Sequence, residues 1–172
     1  MQDMIRIAGL IEESIVDGPG IRFVVFAQGC VHKCPGCHNP HTHNTKGGYD
    51  IAIEDIVMQI RQNPLIDGVT FSGGEPFLQA GQFFKLAKRL KQFNYNILAY
   101  SGYTFEQLLE QAEINEDVKN LLNILDILID GLFKRDKMDY ALKFRGSSNQ
   151  RIIDVQKSLN SENGEVKLFL NI

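Results

Sequence analysis

Four short apolar segments, most of them followed by an amphipathic helix, limit most strongly how this chain can fold. Their β-branched and aromatic side chains favour strands, and the intervals between the apolar residues that follow favour helices. The predicted strands cover residues 21–27, 67–72, 96–100 and 127–130. The predicted helices cover residues 51–61, 78–93, 118–125 and a stretch that begins after Thr104. Strands that alternate with helices build a mainly parallel sheet with helices outside it, so the sequence predicts an α/β protein.

Two of these helices carry more specific expectations. Asp50 is the expected N-cap of the helix over 51–61, because a short polar side chain before the first apolar repeat can accept a hydrogen bond from the first turn. Apolar residues at three- and four-residue intervals predict one buried stripe in the helix over 78–93. The stripe consists of Phe83, Leu86, Ala87 and Leu90.

The C-terminal part of the chain carries two further strand signals. They cover residues 151–155 and 166–170, on either side of a polar turn at 160–164. Two such strands joined by a polar turn can form a terminal hairpin.

Length and composition place the chain among single-domain globular proteins. With 172 residues, 44% of them hydrophobic and 23% charged, one domain spanning residues 1–172 is expected. The net charge of −3 argues against a general electrostatic grip on nucleic acid or on an anionic membrane. The N-terminus lacks a basic start followed by an apolar core, and the longest apolar run near it is too short to span a bilayer. We therefore expect a cytoplasmic protein with no nucleic-acid or membrane partner, in a compartment where cysteines stay reduced.

Cys30, Cys34 and Cys37 are the only cysteines of the chain and follow Cys-x3-Cys-x2-Cys spacing. An odd number of cysteines leaves one thiol over after any disulfide pairing, so the spacing indicates metal ligation. Tetrahedral zinc and ordinary iron–sulfur clusters take four protein ligands. A set of three thiolates therefore either borrows a fourth ligand or leaves one metal position open for a small molecule.

The histidines make a zinc site an alternative to an iron–sulfur cluster. All four of them lie among or just after the cysteines, at positions 32, 38, 41 and 43. One of them could complete a structural Cys3His zinc site. Iron–sulfur ligation is favoured from spacing, because Cys-x3-Cys-x2-Cys departs from the paired Cys-x2-Cys arrangement that is usual for zinc.

A Ser72-Gly73-Gly74-Glu75-Pro76 segment follows the second predicted strand. Two glycines at a strand end remove side chains, so backbone carbonyl and amide groups can contact a ligand such as an ammonium group. By itself the segment is typical of an ordinary turn. The segment and the cysteine loop together indicate a ligand-binding site much more specifically than either motif does alone.

The cysteine loop after one strand and the Gly-Gly-Glu-Pro segment after the next resemble the radical S-adenosylmethionine enzymes. The resemblance implies that Cys30, Cys34 and Cys37 hold a 4Fe-4S cluster with one open iron. It also implies that S-adenosylmethionine binds this iron and that residues 72–74 (Ser72, Gly73 and Gly74) receive its methionine end. The sequence departs from the broad pattern at Gly36, where an aromatic residue is common before the third cysteine.

Similarity to a narrower group within these enzymes accounts for the glycine at position 36. Residues 34–39 and the DGPGIR segment at 17–22 are similar to the glycyl-radical-enzyme activating proteins. The similarity to their small members, which activate anaerobic ribonucleoside-triphosphate reductase, extends to residues 101–103, 129–131 and 145–151. The matches therefore run over nearly the whole chain.

This resemblance implies a function and its partners. A reduced flavodoxin-like protein or another low-potential donor supplies an electron, S-adenosylmethionine is split, and a glycine of the large subunit of the reductase loses a hydrogen atom. It also implies an incomplete (β/α) barrel with a mainly parallel sheet, since a complete (β/α)8 barrel needs at least ~200 residues. The expected cofactor contacts are Gly36, Cys37, His38, Ser72, Gly73, Gly74 and Asp130.

Several alternatives stay open at this point. The chain could activate another glycyl-radical enzyme, act as a radical S-adenosylmethionine enzyme on a small molecule, or be a structural zinc or iron–sulfur module. Asp130 could bond a ribose hydroxyl or cap the loop that follows it. Tyr103 could stack on adenine or pack in the core, and core packing is favoured. Residues 145–151 could be a solvated loop, or contact the cofactor or the partner protein.

Overall fold

A seven-stranded sheet runs through the centre of the protein in the computed structural model, which describes residues 2–169. The strands are β1 (Met4–Ser14), β2 (Arg22–Ala27), β3 (Tyr49–Ala52), β4 (Gly68–Gly73), β5 (Asn96–Ser101), β6 (Ile127–Asp130) and β7 (Arg151–Asp154). The helices are α1 (Ile53–Gln62), α2 (Ala80–Lys91), α3 (Phe105–Ala112), α4 (Glu116–Ile124) and α5 (Val155–Leu159). None of these helices is long and apolar enough to cross a membrane.

The middle of the sheet is parallel and its edges are antiparallel. The strand order is β3-β1-β2-β4-β5-β6-β7, and the pairs β2–β4, β4–β5 and β5–β6 are parallel. Strands β1 and β7 pair antiparallel with β2 and β6, and β3 pairs antiparallel with β1. The α/β class and the four central strands confirm the sequence prediction, whereas β1 and β3 were not predicted.

The prediction that Asp50 caps a helix is wrong. Asp50 lies within β3, opposite Arg6 of β1, and its carboxylate forms an ion pair with the Arg6 guanidinium at 2.8 Å. Helix α1 begins at Ile53 and has Ala52 as its N-cap, with no side chain capping it. The acidic residue that resembles a cap therefore serves strand pairing instead.

The main core lies between the sheet and the helices. The predicted stripe of α2, formed by Phe83, Leu86, Ala87 and Leu90, is fully buried against strand residues such as Val25 and Phe71. Helix α2 begins at Ala80, after a short 3-10 turn over Pro76–Gln79. Helix α3 begins directly after Thr104, as the sequence predicts, and Thr104 is its N-cap and forms a capping box with Gln107.

The opposite face of the sheet is covered by the chain between β6 and β7. A smaller apolar cluster there joins Leu98, Ile127, Ile129 and Ile152, with Phe144 packed against it. The Tyr100 hydroxyl donates a hydrogen bond to the Phe144 carbonyl oxygen at 2.6 Å. Because side chains alternate along a strand, β4 presents Thr70 and Ser72 to this face. The covered face is therefore partly polar.

The predicted terminal hairpin forms only in part. Helix α5 directly follows β7, and the chain then returns to make one isolated antiparallel bridge between Leu168 and Ile153. The Phe169 amide donates to the Ile152 carbonyl oxygen at 2.9 Å. The last residue of the strand predicted over 166–170 lies outside the described residues.

Candidate functional site

The residues predicted to act on a ligand meet at one edge of the sheet. Strands β2, β4, β5 and β6 are parallel, so their carboxyl ends lie side by side, with Ala27 opposite Gly73 and Ser101 opposite Asp130. The cysteine loop, the Gly-Gly-Glu-Pro segment and residues 101–103 all begin here. Parallel α/β sheets bind their ligands at this edge.

The DGPGIR segment shapes the opposite, amino end of β2. Arg22 is 1% exposed and donates hydrogen bonds to Thr70 Oγ1 at 2.6 Å and to the Val69 carbonyl oxygen at 2.8 Å. Burial lowers the pKa of Arg22 to about 10. Gly18 has a φ of +132°, and a Cβ atom there would lie 2.6 Å from Arg22 Cδ. The segment therefore anchors the amino end of β2 to β4, while its first residue, Asp17, lines a cleft that also includes Cys37.

Short hydrogen bonds fix the base of the cysteine loop. The Gly29 amide donates to the Thr42 carbonyl oxygen at 2.7 Å, and the Cys30 amide donates to that of His43 at 3.3 Å. The Gln28 side-chain amide donates to the Asn44 carbonyl oxygen at 2.6 Å. Residues 42–44 therefore return to the start of the loop, and the three cysteines lie on the chain between these two points.

The three cysteines are free thiols of intermediate exposure. Desolvation raises the pKa of the Cys30 and Cys34 thiols, and the Phe133 backbone N–H opposes this rise at Cys34. A metal centre would reverse it, because metals bind the thiolate form. Within residues 2–169 no three His, Cys, Asp or Glu side chains are grouped to hold a metal ion, so ligation by the three cysteines stays a prediction.

The donor set itself fits an iron–sulfur cluster. Three unpaired thiols lie on one loop, and the Cys37 amide donates to the Cys34 carbonyl oxygen at 3.1 Å in a tight turn. Gly36 permits that turn, since its φ of +75° is rarely adopted by other residues. Gly36 is exposed and lies against Phe133 and Arg135.

The two glycines at the carboxyl end of β4, Gly73 and Gly74, lie close to the backbone of β2 and of the loop that follows it. A Cβ atom at Gly74 would lie 2.2 Å from the Gly29 carbonyl oxygen, and one at Gly73 would lie 2.8 Å from the Ala27 nitrogen. The Gly74 amide donates to the Ala27 carbonyl oxygen at 2.8 Å. Close approach between two backbones is therefore one reason for glycine at both positions.

Glu75 joins the cysteine loop to the loop after β5, a role that the sequence did not reveal. Its side chain is 1% exposed, and its carboxylate accepts hydrogen bonds from the Ser101 hydroxyl at 3.0 Å and the Gly102 amide at 2.9 Å. It also accepts one from the Phe77 amide at 3.1 Å and contacts His32 Nε2 at 2.8 Å. Four donors from three loops thus converge on one buried carboxylate.

His32 is the cysteine-loop partner in this network. Its side chain is 12% exposed, and its ring packs edge-on against Tyr103 with centroids 4.5 Å apart. A Cβ atom at Gly102 would lie only 2.4 Å from the His32 ring, so a larger residue at 102 would displace it. Tyr103 also packs against the main core, which agrees with the core interpretation of this residue.

A cleft of about 810 Å³ brings together four of the predicted contact residues: Cys37, His38, Ser72 and Gly73. Sites for small molecules commonly have volumes of about 300–1,000 Å³. The covering chain between β6 and β7 closes one side of the cleft. The predicted residues Cys30, Gly36, Gly74 and Asp130 do not line it, and Cys34 lines a neighbouring cavity.

The cleft also contains groups that the sequence did not single out as ligand contacts. Phe133 packs against His38 with ring centroids 5.0 Å apart. Burial raises the pKa of Tyr100, so this residue offers a neutral phenol. The Arg145 guanidinium donates to the Gln150 carbonyl oxygen at 3.0 Å, while its buried Nε has no partner within residues 2–169. The cleft thus offers an aromatic wall and an available cation.

Asp130 is held by groups of the fold. The carboxylate, 1% exposed, accepts hydrogen bonds from the Phe105 amide at 2.8 Å and from Arg151 Nε at 3.0 Å. Arg151 also pairs with Glu106 on α3 at 2.7 Å. Asp130 therefore ties β6 to the start of α3 and to β7, and these bonds do not go to the loop that follows it.

Comparisons with known proteins match most of the chain. A family model described as a 4Fe-4S single cluster domain matches residues 16–153. The anaerobic ribonucleoside-triphosphate reductase-activating protein of Escherichia coli K12 is 33% identical over 144 residues, which cover 79% of this chain and 90% of the relative. That of Vibrio cholerae is 34% identical over 146 residues, with coverages of 80% and 90%. The pyruvate formate-lyase-activating enzyme of Clostridium pasteurianum is 38% identical over 118 residues, which cover 63% of this chain and 50% of that enzyme.

Proposed function

The chain belongs to the anaerobic ribonucleoside-triphosphate reductase-activating proteins, within the radical S-adenosylmethionine glycyl-radical activases, and we propose that it activates such a reductase. The observation that carries this proposal is the match itself, which includes the cysteine loop and the whole parallel part of the sheet. The family description supports an iron–sulfur centre. The relatives' names support the reductase as the protein substrate.

Cys30, Cys34 and Cys37 are the proposed ligands of a 4Fe-4S cluster, and one iron is left for the amino and carboxylate groups of S-adenosylmethionine. When bound, the cluster would supply one electron to split the carbon–sulfur bond of S-adenosylmethionine, and the resulting 5′-deoxyadenosyl radical would take a hydrogen atom from a glycine of the reductase. The donor set supports this assignment, since the chain carries three free thiols and no fourth cysteine.

The cleft is the proposed place for S-adenosylmethionine. Ser72 and Gly73 would receive its methionine end, and His38 would lie near the adenine, against the ring of Phe133. Gly36 and Gly74 act through the backbone turns that they permit. Contact between Asp130 and the ribose stays a prediction, and its bonds to Arg151 and Phe105 hold the end of β6 in place.

The architecture suits a protein substrate. We assign residues 1–172 to a single domain with an incomplete (β/α) barrel, in which four parallel strands form the partial wall. An incomplete barrel has an open side through which a backbone loop of the reductase large subunit can reach the cleft. A flavodoxin-like or other low-potential protein is the proposed electron donor.

Similarity to a pyruvate formate-lyase-activating enzyme supports a second candidate, activation of a different glycyl-radical enzyme. The identity of 38% is higher than for the reductase activators, but the match covers only 50% of that enzyme. The match to the Escherichia coli reductase activator covers 90% of the relative. Coverage therefore favours the reductase as the substrate.

Anaerobic reconstitution of a Cys34→Ala variant with iron and sulfide tests the proposal. The wild-type protein should bind iron and sulfide and cleave S-adenosylmethionine to methionine and 5′-deoxyadenosine, and the variant should not. His41→Ala is the matched control, because His41 is an exposed residue of the same loop. Cleavage retained by Cys34→Ala, or stoichiometric zinc without sulfide in the wild-type protein, would contradict the assignment.

A further inference from the structure

Basic side chains around the cysteine loop lack acidic partners. The chain between β6 and β7 carries five basic residues and two acidic ones over residues 132–145, although the whole protein has a net charge of −3. Within residues 2–169 none of these five forms a salt bridge, and neither does Lys33 of the cysteine loop. Lys85 and Arg89 of α2, by contrast, pair with Asp3 and Glu54.

Part of this basic segment contacts the cysteine loop directly. A Cβ atom at Gly36 would lie 3.4 Å from Arg135 Cδ and 3.6 Å from the Phe133 ring. Cys34 and Phe133 also line one cavity together with Arg135. The positive charge therefore lies next to a predicted cluster ligand, and not on a distant part of the surface.

A second cavity opens on this side of the loop. Its volume is about 630 Å³, and its lining includes Cys34, Pro35, Leu132 and two basic residues, Lys134 and Arg135, against one acidic residue, Asp136. Among residues 2–169, Phe133 alone lines both this cavity and the larger cleft beside Cys37 and Ser72. The cysteine loop thus faces two openings, divided by one aromatic ring.

The rim of the second cavity has the composition of a protein interface. Leu132 is 40% exposed, and Pro35 of the cysteine loop, which lines the same cavity, is exposed too. Lys134 and Arg135 are exposed as well. Apolar side chains surrounded by charged ones are typical of transient protein interfaces, in which complementary charge increases the rate of association.

We propose that this surface, formed by Pro35, Leu132, Lys134 and Arg135 and called here the Cys34 surface, docks an acidic protein that donates electrons. The inference rests on the proposed function. One electron leaves the donor and one is gained by the cluster, and no bond is made or broken at the surface.

The separation of the second cavity from the cleft supports an electron donor as the protein that binds the Cys34 surface. S-adenosylmethionine and the glycine of the reductase must both reach the cleft beside Cys37, because atoms are exchanged there. An electron donor needs only to come close to the cluster, so it can dock on the Cys34 side while the cleft is filled. The unpaired cations select a donor with a negative surface.

Charge reversal at Lys134→Glu with Arg135→Glu tests the proposal in the reconstituted protein. A flavodoxin hydroquinone serves as the acidic donor, and two quantities are measured at low salt: the rate of cluster reduction and the dissociation constant of the donor. We expect the rate to fall about tenfold or more and the dissociation constant to rise, because steering by charge commonly changes association rates by about 10–10³-fold. Lys85→Glu with Lys88→Glu on α2 makes the same change of charge elsewhere and should leave both quantities within about twofold.

Photoreduced 5-deazaflavin, a small donor without a docking surface, separates the outcomes. Both double variants should be reduced by it at the wild-type rate and should then cleave S-adenosylmethionine normally. A flavodoxin rate that is unchanged in Lys134→Glu with Arg135→Glu would overturn the proposal, as would weaker binding of the reductase alone. Wild-type protein that cannot cleave S-adenosylmethionine even with 5-deazaflavin would instead contradict the proposed function, and with it any role for a donor.

Discussion

Replacing Glu75 by glutamine should destabilise the protein more than any other loss of a single negative charge at this edge of the sheet. The carboxylate is almost fully buried and is approached by four donors, from His32, Phe77, Ser101 and Gly102. Glutamine keeps the shape of the side chain but removes its charge and exchanges one acceptor oxygen for a donor.

The size of the effect follows from these contacts. If the new carbonyl oxygen faces Gly102, the new amide group faces the Phe77 backbone N–H, and two donors then oppose each other. A buried donor left without a partner costs about 1–3 kcal/mol, and the remaining bonds lose the strength that a charged acceptor gave them. We therefore expect the free energy of unfolding to fall by about 3 kcal/mol.

Urea denaturation of the cluster-free protein, kept anaerobic and reduced, measures this change. Glu106→Gln is the matched control, because its side chain is 53% exposed and its ion pair with Arg151 lies at the surface. Solvent-exposed ion pairs contribute about 0–1 kcal/mol to the free energy of unfolding. Reconstituted Glu75→Gln should also hold less iron than the control, because His32 is no longer fixed between Cys30 and Cys34.

A loss below about 1 kcal/mol for Glu75→Gln, equal to that of Glu106→Gln, would refute this reasoning. It would mean that the network around Glu75 does not hold the cysteine loop. Combining Glu75→Gln with His32→Asn gives a further check, since two residues in contact should lose less together than the sum of the single losses.

Three further changes have defined outcomes. Gly74→Ala places a Cβ atom 2.2 Å from the Gly29 carbonyl oxygen and should cost at least about 2–3 kcal/mol in urea denaturation, whereas Gly9→Ala, with no atom within 4 Å, should cost below about 1 kcal/mol. Asp130→Asn leaves Arg151 without its buried anionic partner and should lower the unfolding free energy by about 2 kcal/mol; no change would contradict the role of Asp130 in joining β6 to α3 and β7. In the cluster-free protein burial raises the pKa of the Cys30 and Cys34 thiols, which keeps them protonated near neutral pH. Their alkylation by iodoacetamide should therefore accelerate at a higher pH than that of glutathione and stop after reconstitution, as peptide mass spectrometry can show.

The central strands could be predicted because their signal is local. Strand β6 is buried on both faces, begins with three consecutive apolar residues and has the predicted bounds. Strand β1 gives no such signal, since Ile5 and Ile7 are buried while Ile11 is 43% exposed. Its partner β3 lies more than 40 residues away, and such pairing depends on the rest of the sheet and not on local preference.

Some features of the candidate site could also be predicted from the sequence, and others could not. The cysteine spacing and the paired glycines are chemical signals that remain visible in the sequence alone. Glu75 is different, because a glutamate in a turn is usually exposed, and its burial here depends on donors from two other loops. The structure also gives a second explanation for the two glycines, which the sequence does not show: their backbone lies close to that of β2 and the loop after it.

Transfer of deuterium from the reductase tests the central claim most directly. Reconstituted protein, S-adenosylmethionine and a reductant are mixed without oxygen with reductase that carries deuterated glycine. We predict a glycyl-radical signal in the electron paramagnetic resonance spectrum and one deuterium in each 5′-deoxyadenosine formed. Cleavage of S-adenosylmethionine with neither the radical signal nor deuterium in the product would contradict the claim that this protein activates a glycyl-radical reductase.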